Sequence, residues 1–145
     1  EDIEFLLSVN KGEPPRSIAK IASGGELSRI ILAFKTVLAV VDYIPSLVFD
    51  EVDTGIGGKT LIAVAKKLKH LSEHRQILVV THAAPIAALA ENHYFVHKQT
   101  INGKTYSRIK ELFGEHKIVE IARMLGGRKS SKAVLEHAKQ LINLN

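Results

Sequence analysis

The chain has 145 residues, 46% of them hydrophobic and 24% charged, which is enough for one modest domain with a core of its own. Its longest apolar run, residues 30–41, is interrupted by Lys35 and Thr36 and falls short of the roughly 18 residues of a membrane span. Cysteine is absent, which excludes disulfides and thiolate metal sites and permits a cytosolic location.

The first residues and the charge distribution add two expectations. Glu1, Asp2 and Glu4 replace the positive region that a secretory signal needs, and the missing initiator Met predicts an excised fragment. The net charge is +5, and basic residues become more frequent in the last third: Arg123, Arg128, Lys129 and Lys132. This balance fits a nucleic-acid neighbourhood, but a solvated face is the simpler reading of so few charges.

The first third predicts a short strand over residues 3–9, a turn at Gly12–Pro15 and then a helix. Ser23 is expected to cap that helix, with Glu26 three residues later completing a capping box. Apolar side chains then recur at helical spacing: Leu27, Ile30, Ile31, Phe34 and Leu38.

The middle third alternates strands and helices. Two continuous apolar runs, residues 47–49 and 77–80, predict strands buried on both faces. Between them lies an amphipathic helix whose apolar face consists of Leu61, Val64, Ala65, Leu68 and Leu71. This order predicts an α/β fold with a parallel sheet core and crossover helices, in which ligands bind beyond the carboxyl ends of the strands.

The last third predicts a short helix over about Pro85–Ala90, a late β-hairpin and two C-terminal helices. The hairpin strands, Tyr94–Thr100 and Lys104–Leu112, flank Asn102-Gly103, a strong two-residue turn signal. One helix is expected to end at the paired glycines 126–127, and the other to run from about Ser131 to Ile142. The whole chain, residues 1–145, is interpreted as one domain unit.

Asp50 and Glu51 leave the first apolar strand as adjacent carboxylates and point in different directions. One can hold a Mg²⁺ ion through its water shell, and the other can orient or deprotonate an attacking water. A solvated strand end is the alternative reading. The apolar run before them and the Gly-rich loop after them favour the functional one.

Ser23, Gly24, Gly25 and Glu26 form the start of the first long helix. Two glycines there let backbone N–H groups approach an anion, the helix dipole favours negative charge, and the Ser hydroxyl adds a donor. An ordinary capped helix start explains the same residues equally well, so this motif alone leaves both readings open.

The histidines give weaker signals. His82, just past the second apolar strand, can hydrogen-bond a phosphate or position a water, although a lone His is more often structural. His70 and His74 are four residues apart, as are His93 and His97, but no third metal ligand is evident near either pair. Solvated surface is the favoured interpretation of both pairs.

Residues 53–60 nearly match the phosphate-binding pattern G-x-x-x-x-G-K-[ST], with Asp53 in place of the first Gly. Together with Asp50 and Glu51, this places three carboxylates at the entrance of the loop, where they would repel a polyphosphate. A phosphate loop also normally precedes the acidic strand by a long stretch. We therefore interpret this segment as something other than a phosphate loop.

In their order, SGGE, LVFDE, the loop with Asp53 and LVVTH, these segments resemble the C-terminal half of an ABC-type ATPase head: signature, Walker B, D-loop and switch histidine. The stretches IASGGELSRIILAFKTVLA, LVFDEVDTGIGG and ILVVTHAAPIAALAENHYFV are similar to the RecN family of bacterial DNA double-strand-break repair ATPases, which belongs to the SMC-like group. Glu26 and Val52 stand where transporter ATPases usually carry Gln and Pro. The DTGIGG loop favours RecN over its SMC relatives.

The resemblance implies roles for single residues. Ser23, Gly24 and Gly25, with Glu26 beside them, would contact the γ-phosphate of an ATP held by a second head. Asp50 would support Mg²⁺ through water, Glu51 would polarise the attacking water, and His82 would sense the γ-phosphate. Asp53 would link the two sites of a head dimer, and Arg29 would face the partner head.

The resemblance also implies ATP and Mg²⁺ as cofactors, and three partners: the upstream half of the same protein with its Walker A loop, a second head, and DNA through the full-length protein. It implies a cytoplasmic, nucleoid-associated location without a membrane role. The Walker A loop, the Gln-containing loop and the coiled coil are not found in this sequence. The fragment alone is therefore expected to be inactive. A non-catalytic docking module, or the head of another SMC-like ATPase, remains the alternative.

Overall fold

The structure is a computed structural model that describes residues 4–8, 11–18, 23–38, 43–127 and 131–143. These residues form two compact units, Glu1–Thr81 and His82–Asn145. In the described part of the chain, no helix combines the length and the apolar character that crossing a membrane requires.

The first unit begins with a small antiparallel pair, β1 (Leu6–Leu7) and β2 (Arg16–Ser17). The turn between them contains Gly12 at φ 95°, a left-handed conformation that glycine adopts without steric cost. The sequence predicts a strand over residues 3–9. Among the described residues of that range only Leu6 and Leu7 form a strand, and residues 3 and 9 lie outside the described ranges.

Helix α1 (Gly24–Val37) starts where the capping residue predicts. The Ser23 side chain accepts a hydrogen bond from the Glu26 N–H at 3.2 Å, which satisfies one of the free donors of the first turn. The helix ends at Leu38, whose N–H donates to the Phe34 carbonyl. The predicted helix start is confirmed.

The core of the first unit is a parallel strand pair joined by a crossover helix. Strand β3 (Ser46–Asp50) pairs in register with β4 (Gln76–Val80), so that Asp50 lies opposite Val80. Helix α2 (Gly58–Ser72) connects them and buries the predicted face, with Ala65, Leu68 and Leu71 almost inaccessible. The predicted parallel α/β arrangement is confirmed.

The prediction that both strands are buried on both faces is wrong for the described residues. Phe49 is 3% exposed, but Val48 is 71% exposed, and on the neighbouring strand Leu78 and Val80 are 49% and 64% exposed. Burial alternates along each strand because the packing covers one face of this two-stranded sheet and leaves the other open. We call Val48, Leu78 and Val80 the open sheet face.

The apolar stripe of α1 is also less buried than its spacing predicts. Only Gly25 and Leu32 are buried on this helix. Leu27, Ile31 and Phe34 are each about two-fifths exposed, and Phe34 contacts the ring of Phe5 edge to face at 5.4 Å. A one-sided layer of packing therefore covers only part of the stripe.

The second unit contains three helices and a hairpin: α3 (Ala84–Leu89), β5 (His93–Ile101), β6 (Lys104–Leu112), α4 (Gly114–Gly126) and α5 (Lys132–Ile142). Its core joins the three helices through small and branched apolar side chains: Ala84, Ala87, Ala88, Ile121, Ala122, Ala138 and Leu141. Alanines on α3 allow this short helix to pack closely against α4 and α5.

Local signals correctly predict the element ends in this unit. Asn102 and Gly103 have φ values of 50° and 75°, as a two-residue hairpin turn with both central residues left-handed requires. Gly127, at φ 79°, follows the last residue of α4, and Ser131 caps α5 by accepting from the Val134 N–H. The predicted hairpin and the two final helices are confirmed.

Candidate functional site

The glycine-rich start of α1 packs directly against the loop that follows β3. A Cβ atom placed on Gly25 would lie 2.8 Å from the Glu51 carbonyl oxygen and 3.0 Å from the Thr54 Cβ. A Cβ on Gly24 would lie 2.8 Å from the Glu51 Oε2. Glycine is thus required at position 25, where the contact is with backbone, whereas the Glu51 side chain near Gly24 can move, and the signature segment and the acidic loop form one local structure.

Asp50 and Glu51 occupy the carboxyl end of β3 with both side chains exposed. Glu51 has φ 56°, a left-handed conformation that is uncommon for a residue with a side chain. Its carbonyl accepts a hydrogen bond from the Thr54 N–H at 3.0 Å, closing a tight turn. The two carboxylates therefore stand at the start of this turn, and the different tasks that the sequence assigns to them stay a prediction.

Two side chains of α1 fasten the helix to this loop. The Ser28 hydroxyl donates to the Asp50 carbonyl at 2.7 Å. The Arg29 Nη1 donates to the Val52 carbonyl at 3.3 Å and to the Thr54 carbonyl at 2.7 Å. The family resemblance implies only a role toward a partner head for Arg29, whereas in this chain its guanidinium holds the acidic loop.

Asp53 is only 4% exposed, so its carboxylate lies inside the first unit. Its Oδ2 accepts a hydrogen bond from the Thr81 hydroxyl at 2.7 Å. Thr81 follows β4, and this bond therefore joins the loop after one strand to the end of the next. Sequence reasoning gave Thr81 no role, because a bond across 28 residues leaves no local signal.

Six of the eight predicted site residues lie in one region of the first unit: Ser23, Gly24, Gly25, Asp50, Glu51 and Asp53. Glu26 adds a seventh, through the N–H that it donates to Ser23 at the helix start. His82 is the first residue of the second unit, and its side chain is exposed.

The carboxylates at this site fit a magnesium ion that is held mainly by water and phosphate. Among the described residues, no group of three or more His, Asp or Glu side chains could hold a metal. Mg²⁺ in nucleotide sites typically uses one or two carboxylates and keeps several waters, so Asp50 and Glu51 are sufficient donors from this chain.

The segment that nearly matches a phosphate loop lies between β3 and α2, so a strand does precede it and a helix does follow it. Its Asp53 carboxylate is buried and bonded to Thr81, and Glu51 stands at its entrance. Negative charge at that entrance opposes a polyphosphate, and we keep the interpretation that the loop has another role.

The two histidine pairs differ from one another. His70 and His74 are exposed, with ring centroids 6.4 Å apart, and His70 contacts Glu73. His93 and His97 are instead half-buried on the inward face of β5, and their Nδ1 atoms have no hydrogen-bond partner among the described residues. The expectation of solvated surface is wrong for this second pair, because strand alternation turns both rings toward the packed side.

No protein-family model matches the chain. Curated proteins match it closely: DNA repair protein RecN of Treponema pallidum is 51% identical over 142 residues, which are 98% of this chain and 25% of that protein. RecN of Deinococcus radiodurans is 51% identical over 97% of the chain and 24% of the relative, and RecN of Bacillus subtilis is 41% identical over the same shares. The chain thus spans about a quarter of the length of the curated relatives it matches.

A solved structure from work on ATP-driven dimerization and DNA-stimulated activation of SMC ATPases has the same fold. The TM-score between that structure and this chain is 0.53 at 22% sequence identity, and the match covers 81% of this chain and 70% of that one. This likeness establishes the fold of an SMC ATPase head. The chain is therefore a RecN-family sequence that corresponds to the C-terminal part, about a quarter, of those proteins.

Proposed function

We propose that this chain supplies the signature and Walker B half of an ATPase site, in a RecN-type head that binds and hydrolyses ATP as two heads dimerise. The observation that carries the proposal is the close contact between the glycines at the start of α1 and the acidic loop after β3. In the RecN sequence pattern these are the two segments that serve nucleotide chemistry, and here they pack directly against one another.

Each residue has a distinct task in this proposal. Gly24 and Gly25 present helix N–H groups, and Ser23 its hydroxyl, to the γ-phosphate of a nucleotide on a second head. Asp50 orients the water shell of Mg²⁺, which when bound neutralises phosphate charge. Glu51 accepts a hydrogen bond from the attacking water and aligns it. His82 senses the same γ-phosphate from the end of β4.

Asp53 and Arg29 hold these groups in place. The buried Asp53 carboxylate, bonded to Thr81, fixes the loop that in the proposal reports from one site to the other across the dimer. Arg29 ties this acidic turn to the signature helix through hydrogen bonds to two carbonyls. Positioning of this kind is the main protein contribution to phosphoryl transfer.

The remaining parts of the site come from outside this chain. A Walker A loop in the upstream half would hold the β- and γ-phosphates, and the open sheet face supports docking of further protein on β3 and β4. The same open face favours the second candidate function, a docking fragment without turnover. In the bacterial cell the complete protein would act in the cytoplasm on broken DNA.

The test is ATP turnover by the full-length protein and by its Glu51→Gln variant. Gln keeps the size of Glu but lacks the negative charge that aligns the water, so we expect turnover to fall by at least about 100-fold while ATP-dependent head dimers accumulate. The matched control is Glu136→Gln, an exposed glutamate on α5.

The same assay separates the two candidate functions. Turnover by a mixture of this chain with the upstream half, absent in each alone, supports the half-site. Normal turnover by the Glu51→Gln protein contradicts the role of Glu51, and no turnover in the wild-type protein favours the docking fragment. Turnover by this chain alone would mean that the Gly55–Thr60 loop binds phosphate.

A further inference from the structure

The far end of the β5–β6 hairpin is exposed on both faces. Every residue from 98 to 110 is exposed, and we call this segment the distal hairpin. Among the described residues, β5 and β6 pair only with each other. A two-stranded ribbon with both faces in solvent gains little stability from burial, so packing does not account for its composition.

The distal hairpin concentrates positive charge. It contains Lys98, Lys104, Arg108 and Lys110 and no Asp or Glu, so its charge of +4 compares with a net +5 for the whole chain. Most of its other residues carry hydroxyl or amide groups that donate hydrogen bonds, and polar donors beside cations are typical of surfaces that contact phosphate groups.

The strand register places three of these cations along one face. Lys104, Arg108 and Lys110 lie on one face of β6, at steps of about 7 Å for every second residue, and toward the base of the hairpin this face continues into the packed side that carries His97. The residues paired with them on β5 are Ile101, His97 and Phe95, none of which is acidic, although Lys110 also lines a pocket with Glu115 and Glu120 of α4. The Arg108 guanidinium lies 6.0 Å from the centre of the Tyr106 ring on the same face, a cation–π contact.

The shape of the distal hairpin fits a nucleic-acid groove. The two-residue turn at Asn102 and Gly103 keeps the tip to the width of two strands, which lie about 4.8 Å apart. The major groove of DNA is about 12 Å wide and admits a two-stranded ribbon.

Arg123, one of the C-terminal basic residues that the sequence offers as candidates, is less suited to the task. Arg123 donates two hydrogen bonds to the Glu120 carboxylate, at 2.8 and 2.6 Å. This ion pair raises the pKa of Arg123, chiefly through the side-chain hydrogen bond to Glu120. Its charge is already neutralised within the second unit.

We propose that the distal hairpin binds the phosphate backbone of double-stranded DNA, with Lys104, Arg108 and Lys110 as the contacting cations. The binding is independent of base sequence, because the surface offers point charges and a stacked guanidinium instead of a set of residues that read base edges. The inference deepens the proposed function, since a DNA-repair role makes a duplex the polymer that this surface meets.

The experiment measures binding of a fluorescent 25-base-pair duplex to the full-length protein at several salt concentrations. The hairpin variant is Lys104→Gln/Arg108→Gln/Lys110→Gln. Each lost phosphate contact lowers the slope of log affinity against log salt by about 1, so we expect a drop of about 3 and at least about tenfold weaker binding at 100 mM salt. Lys104→Arg/Lys110→Arg keeps the charges and should bind normally.

The control is Lys66→Gln/Lys67→Gln/Lys132→Gln, which removes the same charge from exposed positions on α2 and α5. An equal loss in this control would overturn the proposal, because net charge alone would then explain the effect. It is also overturned if the hairpin variant keeps the wild-type slope, or if it binds DNA normally but loses a protein partner.

ATP turnover without DNA is measured on the same samples. The hairpin variant should turn over ATP at the wild-type rate and melt at the wild-type temperature, since its substituted residues are exposed and none of them is a predicted site residue. Salt-dependent loss of DNA binding in a protein without any ATP turnover would support the hairpin surface and refute the ATPase half-site, so the two proposals fail separately.

Discussion

Gly25 lies where a helix start and a loop approach one another too closely for any side chain. The atom nearest to an added Cβ is the carbonyl oxygen of Glu51, at 2.8 Å, and backbone cannot rotate away as a side-chain end can. Glu51, whose carbonyl makes this contact, also has a left-handed backbone conformation, which is uncommon for a residue with a side chain.

We therefore expect Gly25→Ala to displace the acidic loop. Forcing a methyl group into this contact costs about 1–3 kcal/mol, and the loss of Glu51 alignment should reduce ATP turnover of the full-length protein by at least about tenfold. Gly57→Ala is the matched control, because no atom lies within 4 Å of its added Cβ. Thermal melting and ATP turnover are measured on both variants. Equal effects of Gly25→Ala and Gly57→Ala would contradict the role of the close contact.

Arg29 gives a second prediction at the same scale. One nitrogen of its guanidinium serves two carbonyls of the loop, and a lysine ammonium on a differently shaped stem cannot reproduce that geometry. Arg29→Lys should lower the turnover number more than it raises the KM for ATP, since the loop positions groups without gripping the nucleotide. Arg16→Lys, at an exposed position on β2, is the control, and an effect on KM alone would argue against a positioning role.

Residue-scale features were predictable where the signal was local. The Ser23 cap follows from the residue type and a spacing of three residues, and the structure shows its bond to the Glu26 N–H. The bonds from Arg29 and Thr81 were not predictable, because they join residues 23–28 positions apart and depend on how strands and helices pack.

At the scale of elements, turn and cap chemistry predicted the ends of the hairpin and of the last two helices. The burial of β3 and β4 was not predictable from their apolar runs, since a run shows that a strand can be buried but not how many layers cover it. The inward placement of His93 and His97 follows from the register of β5, which the spacing of two histidines does not reveal.

His93 provides the prediction that belongs to this scale. Burial lowers its pKa below the ordinary 6.5, with Glu120 opposing and Lys117 adding to the shift. The unfolded chain then binds more protons than the folded one between the lowered pKa and about 6.5. Stability is therefore full above that range and should fall as the pH drops through it.

The measurement is the melting temperature between pH 7.5 and 5. His93→Gln should flatten the decline seen in the wild-type protein, because Gln does not titrate. His74→Gln, an exposed histidine at the end of α2, should leave the decline unchanged. Parallel pH curves for the wild-type and His93→Gln proteins would show that the pH response has another source.

At the scale of the whole molecule, the first unit leaves one apolar face of its sheet exposed, where an isolated stable domain would normally cover it. The open sheet face lies opposite the buried Phe49, and the relatives that match this chain are about four times longer. The parallel sheet itself was predictable from the alternation of elements. The number of layers around it was not, since covering segments elsewhere in a protein leave no trace in this sequence.

Val80→Lys tests whether the rest of the full-length protein covers this face. A lysine buried there would lose its hydration, so we expect the head to lose about 2–4 kcal/mol of stability, seen as a lower melting temperature and lower ATP turnover. Ala63→Lys introduces the same charge at an exposed position on α2 and should change stability by less than about 0.5 kcal/mol. If Val80→Lys were equally harmless, the face would be open in the complete protein, and the parts of the site outside this chain would have to approach it from elsewhere.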